Sequence, residues 1–137
     1  MWGKMGIKVS SRQSGDVTII DLSGRMIAGS GSQQILMALV EEYDRGRKWL
    51  LLNCADVTFV DSSGIGDILA AHAAIIRRGG VVRLLNPTRT LRDSLERTQL
   101  NSVLDVYHDE AAAIASFNEG DNERTQQKLA AYLQRTQ

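Results

Sequence analysis

Cysteine, histidine and proline are scarce in this chain of 137 residues: one Cys, two His and one Pro. The lone Cys54 cannot close an internal disulfide, and no Cys/His spacing points to a zinc site. Cys54 reads as a small buried hydrophobe at a strand end. Two histidines leave little material for a catalytic triad. Excess charge is also missing, because sixteen basic residues balance sixteen acidic ones. The broad positive field that draws nucleic acid is therefore absent. No apolar run approaches the ~20 residues of a membrane-spanning helix. The start, Met1-Trp2-Gly3-Lys4-Met5-Gly6, lacks the apolar segment of a secretory signal, so the expected location is the cytoplasm. Neither a cofactor nor a metal is called for.

A chain of this length with 43% hydrophobic residues supports one domain with one core. Ile7, Val9 and Ser11 suggest a short strand. Ser14-Gly15-Asp16 reads as a turn, and Val17–Leu22 as a second strand that Gly24 ends. Ser30 or Ser32 is placed to cap a helix whose apolar face is Leu36, Leu39, Val40 and Tyr43, with Gly46 as its stop. Arg45, Arg47 and Lys48 then read as cations complementing that helix's C-terminus. Trp49-Leu50-Leu51-Leu52 fits a central strand covered on both faces. A helix follows with Ile65, Ile68, Leu69, His72, Ile75 and Ile76 on one face. His72 is expected there as a packed, hydrogen-bonded histidine. Arg77-Arg78-Gly79-Gly80 makes a C-terminus, and Val81–Leu85 the next strand. Asn86-Pro87-Thr88 starts a helix carrying Leu91 and Leu95 inward, with Arg89, Arg92 and Arg97 on its solvated side. Leu104–Tyr107 is a last short strand, and Asp109 caps a helix through Ala113, Ile114 and Phe117. Strands and helices thus alternate, which argues for an α/β fold with parallel central strands. Residues 121–137 are polar. They read as a lightly packed terminal helix in which Leu129, Tyr132 and Leu133 share one face and permit a weak homodimer.

The chemistry concentrates in Val57-Thr58-Phe59-Val60-Asp61-Ser62-Ser63-Gly64-Ile65-Gly66-Asp67-Ile68. Apolar residues give way at Asp61 to a polar tip, and the helical period begins at Ile65. Gly64 and Gly66 are expected to let another backbone approach. Ser62 and Ser63 lie at a helix N-terminus, where free N–H groups and the dipole favour negative charge. Three functions compete for this tip. A serine nucleophile resembles the Gly-x-Ser-x-Gly elbow, but Val60 and Asp61 occupy the positions two before each serine, and no base with its orienting acid is visible. Nucleotide binding finds Gly64-Ile65-Gly66 but neither a third glycine at Leu69 nor a Gly-Lys-Ser/Thr. A phosphoacceptor needs only an exposed hydroxyl on a rigid tip, since a kinase brings magnesium, base and nucleotide. On local chemistry alone, plain helix capping by the serines or Asp61 explains the tip better than any of the three.

Val57-x-Phe59-Val60-Asp61-Ser62-Ser63-Gly64-Ile65-Gly66 resembles the central signature of STAS domains, the anti-sigma factor antagonist family. Gly24-Arg25, Leu50-Leu51-Leu52-Asn53, Gly79-Gly80, Leu84-Leu85-Asn86 and Glu110-x-Ala112-x-Ile114-x-Ser116-Phe117 extend the resemblance over residues 7–118, leaving 119–137 as a polar, helical extension. The resemblance implies a single STAS-like domain, a mixed, mostly parallel sheet with helices mainly on one side. It also implies a non-enzymatic bacterial regulator that binds an anti-sigma factor serine kinase and so frees a sigma factor for transcription. The kinase phosphorylates the antagonist and a serine phosphatase resets it. The acceptor carries over to Ser62, with Ser63 as the weaker alternative; Asp61 and Gly64 carry over as loop-shaping positions. The partner-binding surface implied around 24–30 and 60–67 includes Arg25, Met26, Ile27, Val60, Ile65 and Asp67. Family members that bind kinases place acidic residues after the glycine at position 24, whereas this chain has Arg25-Met26-Ile27. The alternative within the family is a subunit of a stress-sensing scaffold or of a lipid or anion transporter.

Overall fold

The computed structural model describes residues 6–27 and 30–135, with the side chains of 30–32 left aside. In chain order the elements are β1 (Ile7–Ser14), β2 (Val17–Met26), α1 (Ser30–Asp44), β3 (Trp49–Val60), α2 (Ser62–Arg78), β4 (Val81–Leu85), α3 (Arg89–Arg97), a 3₁₀ turn (Leu100–Ser102), β5 (Val106–Tyr107), α4 (Glu110–Ser116) and α5 (Asp121–Arg135). The sheet order is β1-β2-β3-β4-β5. Gly15, at φ 59°, turns β1 antiparallel onto β2, and β2 to β5 run parallel. The result is the mixed, mostly parallel α/β sheet that the sequence implies.

The alternation of the strands divides the apolar residues between two faces. Ile20, Leu22, Leu50, Leu52, Val82 and Leu84 face the larger core. There they meet Ile35 and Leu39 of α1, Ile65, Ile68 and Ile75 of α2, Leu91 and Leu95 of α3, and Leu129 and Tyr132 of α5. Val17, Ile19, Leu51, Val81 and Leu85 face a smaller cluster closed by Ala113 and Phe117. Helices therefore lie mainly on one side. Leu50, Leu51 and Leu52, each at most 2% exposed, make β3 the doubly covered strand expected.

Several boundaries differ from the sequence reading. Gly24 does not end β2, which continues to Met26 through register shifts on both sides of Gly24. Gly24 sits at φ 121°, and a Cβ there would lie 2.7 Å from Gly6 O, so the irregularity needs glycine. β3 runs on to Val60, so residues 57–60 belong to the strand. β5 begins at Val106, and Leu104 is buried ahead of it. Arg45 and Arg47 do more than complement a helix end: they meet the buried Glu42 carboxylate at 3.1 and 2.7 Å. Capping by Ser30 or Ser32 lies outside the described residues.

The terminal helix is more deeply packed than its polarity suggests. Asp121, Thr125, Leu129 and Tyr132 are buried. Arg83, facing the smaller cluster from β4, donates from Nη2 to Asp121 Oδ2 at 3.0 Å, and its guanidinium lies 4.5 Å from the Phe117 ring centroid. Asn122 Nδ2 donates to Ile76 O (2.9 Å) and Gly80 O (2.6 Å), and Tyr132 Oη to Thr98 O (2.9 Å). Leu129 and Tyr132 are thus taken up by the chain's own core.

Candidate functional site

The site begins where β3 stops. Val60 is the last strand residue, and Asp61 stays extended (φ −97°, ψ 173°) as the N-cap of α2. Its Oδ1 accepts the Gly64 N–H at 2.7 Å, satisfying one of the helix's free donors. Its own N–H donates to Met26 O at 3.3 Å, tying the tip to the end of β2. Gly64 packs against the same carbonyl: a Cβ there would lie 2.4 Å from Met26 O. Asp61 and Gly64 therefore hold the tip against the end of β2 from both sides. Gly66 does not share this role, because a Cβ at that position would meet nothing within 4 Å.

Ser62 and Ser63 are the first two residues of α2, and both are exposed. With Asp61 serving as the cap, neither serine hydroxyl has a side-chain hydrogen bond among the described residues. Neither histidine is hydrogen-bonded to them among the described residues. His108 lies beyond β5, and His72 is in the core at 1% exposure. The expected hydrogen bonding of His72 is not found: neither ring nitrogen has a partner among the described residues. Burial pushes its pKa down to about 4, against a weaker opposing pull from Asp105. Burial likewise pushes the Cys54 thiol up to about 12, which suits an inert core residue. Two clefts among the described residues lie away from the tip. One is lined by Gln13, Arg47, Trp49 and Asn118, the other by Val9, Met37 and Glu41. Ser62 and Ser63 line neither cleft and stand exposed on the surface.

The six residues expected to face a partner separate into two layers. Met26, Val60 and Ile65 are 1%, 7% and 4% exposed and form the floor under the tip. Arg25 is exposed, while Ile27 and Asp67 are half-buried. The structure adds Phe59, 42% exposed, with the Arg25 guanidinium 5.2 Å from its ring centroid. An apolar residue in a strand next to buried Val57 and Val60 reads as core, so nothing in the sequence marks Phe59 as exposed. Regular alternation would put Phe59 on the face of Val57 and turn Val60 outward, so the pattern carries no signal for the exposed ring either. Thr58 Oγ1 donates to Gly24 O at 3.1 Å, at the point where the β2–β3 register shifts.

The STAS domain family model matches residues 8–113. The anti-sigma F factor antagonist of Paenibacillus polymyxa is 24% identical over 114 residues, covering 82% of this chain and 97% of that protein. An anti-sigma factor antagonist from Mycobacterium paratuberculosis has a similar structure, with TM-score 0.67, 15% identity, and coverage of 80% of this chain and 92% of that one. The anti-sigma factor antagonist SpoIIAA in its unphosphorylated form gives TM-score 0.63, 23% identity, and 78% and 93% coverage. These structural likenesses establish the shared fold.

Proposed function

The chain belongs to the STAS domain family, and from that membership we propose that it is an anti-sigma factor antagonist, a protein-binding switch controlled by phosphorylation of Ser62. The observation that carries the reading is the state of that serine. It is exposed, without a side-chain hydrogen bond among the described residues, and held on a tip that Asp61 and Gly64 pin to β2. The anti-sigma factor antagonists to which the chain is similar support the same reading. The domain occupies residues 7–118, with 119–137 an extension docked on it, and it acts in the cytoplasm.

In the bare state the tip offers Ser62, Ser63, Asp67 and the exposed side chains of the β2 end to an anti-sigma factor serine kinase. Sequestering that kinase releases its sigma factor. The kinase supplies magnesium and nucleotide and transfers a phosphoryl group to the Ser62 hydroxyl, whose proton leaves to the kinase's base. The product adds about −1.5 to −2 charges at pH 7. Placed at the start of α2, that charge meets the positive end of the helix dipole, an interaction typically worth 0.3–1 kcal/mol, so the domain tolerates it. A partner surface shaped for an uncharged hydroxyl beside Asp61 does not. A serine phosphatase restores the first state; Ser63 is the alternative acceptor.

The test compares kinase binding by two variants. Ser62→Ala is expected to bind constitutively and Ser62→Asp to bind weakly. Equal binding by both removes the switch.

A further inference from the structure

We propose that Arg25 and Phe59 form a docking element that selects an acidic, apolar-flanked patch on the partner, a proposal that rests on the switch reading of the neighbouring tip. Phe59 is one of only two large hydrophobic side chains that are well exposed among the described residues, the other being Met37 near the second cleft. Its exposure has a structural cause. The register of β2 against β3 shifts between Gly24 and Arg25, which pair with Val57 and Phe59, so Thr58 has no partner in the ladder. Residues 58 and 59 then both face outward while Val57 and Val60 stay in the core. Gly24, at φ 121° and against Gly6 O, holds the irregularity in place. An exposed aromatic ring is thus maintained by a backbone feature that only glycine accommodates.

Arg25 lies over that ring at 5.2 Å and forms no ion pair among the described residues. The aromatic face orients the guanidinium without neutralising it, leaving its hydrogen-bond donors available to a carboxylate. The pair sits where β2 and β3 end, next to the Met26 carbonyl that anchors Asp61 and Gly64. A partner covering Ser62 from the β2 side therefore meets an aromatic surface topped by a cation. The chemistry that fits is a glutamate or aspartate flanked by aliphatic or aromatic side chains. Such a contact covers the ring and pairs the guanidinium as both leave water, the combination enriched at interface hot spots.

The test uses the full chain and two blocked peptides of equal length, one alternating Glu and Leu, the other Lys and Leu. NMR titration follows the Arg25 side-chain N–H and the Phe59 amide and ring signals. The Glu/Leu peptide is expected to move these signals and to bind on the order of tenfold more tightly than the Lys/Leu peptide, the scale of one charge-assisted contact. Arg25→Glu, on an exposed side chain, should keep the amide spectrum of the fold and reverse the preference. Phe59→Ala should weaken binding of both peptides. Equal response to the two peptides, or silence of Arg25 and Phe59 at millimolar Glu/Leu peptide, overturns the proposal. The Ser62→Ala and Ser62→Asp pair is read separately. If kinase binding responds to Ser62 but the peptides show no Glu preference, this docking element fails and the switch stands. A Glu preference with no response to Ser62 leaves the docking element and removes the switch.

Discussion

The tip at the start of α2 and the junction of α5 with β4 handle polar groups in opposite ways. At the tip, Ser62 and Ser63 are exposed, and Arg25 has an aromatic ring beneath it but no carboxylate partner among the described residues. At the junction, Arg83 and Asp121 are 4% and 1% exposed and paired at 3.0 Å, with Asn122 bound to two backbone carbonyls. A buried, paired charge fixes a single packing, because losing either member strands the other. An exposed hydroxyl fixes nothing, and it can be modified without disturbing the fold. The difference separates the part of the molecule that holds its shape from the part available to change.

The sharpest way to break this contrast is Asp121→Ala. Arg83 would keep the Phe117 and Tyr107 rings but, among the described residues, no carboxylate nearer than Asp105 at 3.7 Å, while its Nε and Nη1 already lack hydrogen-bond partners there. The expected loss is about 3–5 kcal/mol in urea unfolding, the usual cost of stranding a buried charge. Ser62→Ala should leave the same transition within about 0.5 kcal/mol, as surface substitutions do. An unshifted Asp121→Ala midpoint would mean that the junction is not a structural lock.

A second test concerns His72, a buried polar residue without the pairing found at the junction. Its folded-state value of about 4 lies below the ordinary 6.5. Between these values the unfolded chain takes up a proton that the folded chain refuses. Stability is therefore full above about pH 6.5 and falls as pH drops toward 4, by roughly 3 kcal/mol. Unfolding of His72→Leu should lack this slope, and unfolding curves across that window check it. Asp21 and Glu110, both held below the ordinary carboxylate range chiefly by hydrogen bonds from Arg12, lose their contributions at still lower pH.

The smaller tests sharpen the tip itself. Gly64→Ala drives a methyl group into the Met26 carbonyl and should cost about 1–3 kcal/mol, the range for overpacking. Gly66→Ala meets open space in a helix and should gain roughly 0.5–1 kcal/mol. Opposite signs at these two glycines would show which one holds the tip. Asp61→Ala removes the bond to Gly64 N–H and should cost about 1 kcal/mol. Thermal unfolding of the three variants reads all of these effects.

What was legible in the sequence follows from the same physics. Periodicity and turn residues located nearly every element, because Gly15, Gly46 and Gly79 stand at positive φ where the chain must turn. Asp61 and Gly64 were legible because the break in pattern falls on them. The β2–β3 irregularity was not legible. It depends on Gly24 meeting Gly6, and it is what turns Phe59 outward and continues β2 past Gly24. Nor was the depth of α5. Its polar sequence conceals Asp121, whose burial depends on Arg83, thirty-eight residues earlier on another element. Gly66 and His72 misled for a related reason: local sequence does not say what lies opposite a helix face.

The most direct test of the central claim is site-mapped intact-mass spectrometry on the protein taken from its own cells, with and without phosphatase treatment. The switch predicts a phosphatase-sensitive phosphate on Ser62 in part of the population, with a bare fraction beside it. A Ser62 that stays unmodified in every growth condition contradicts the switch.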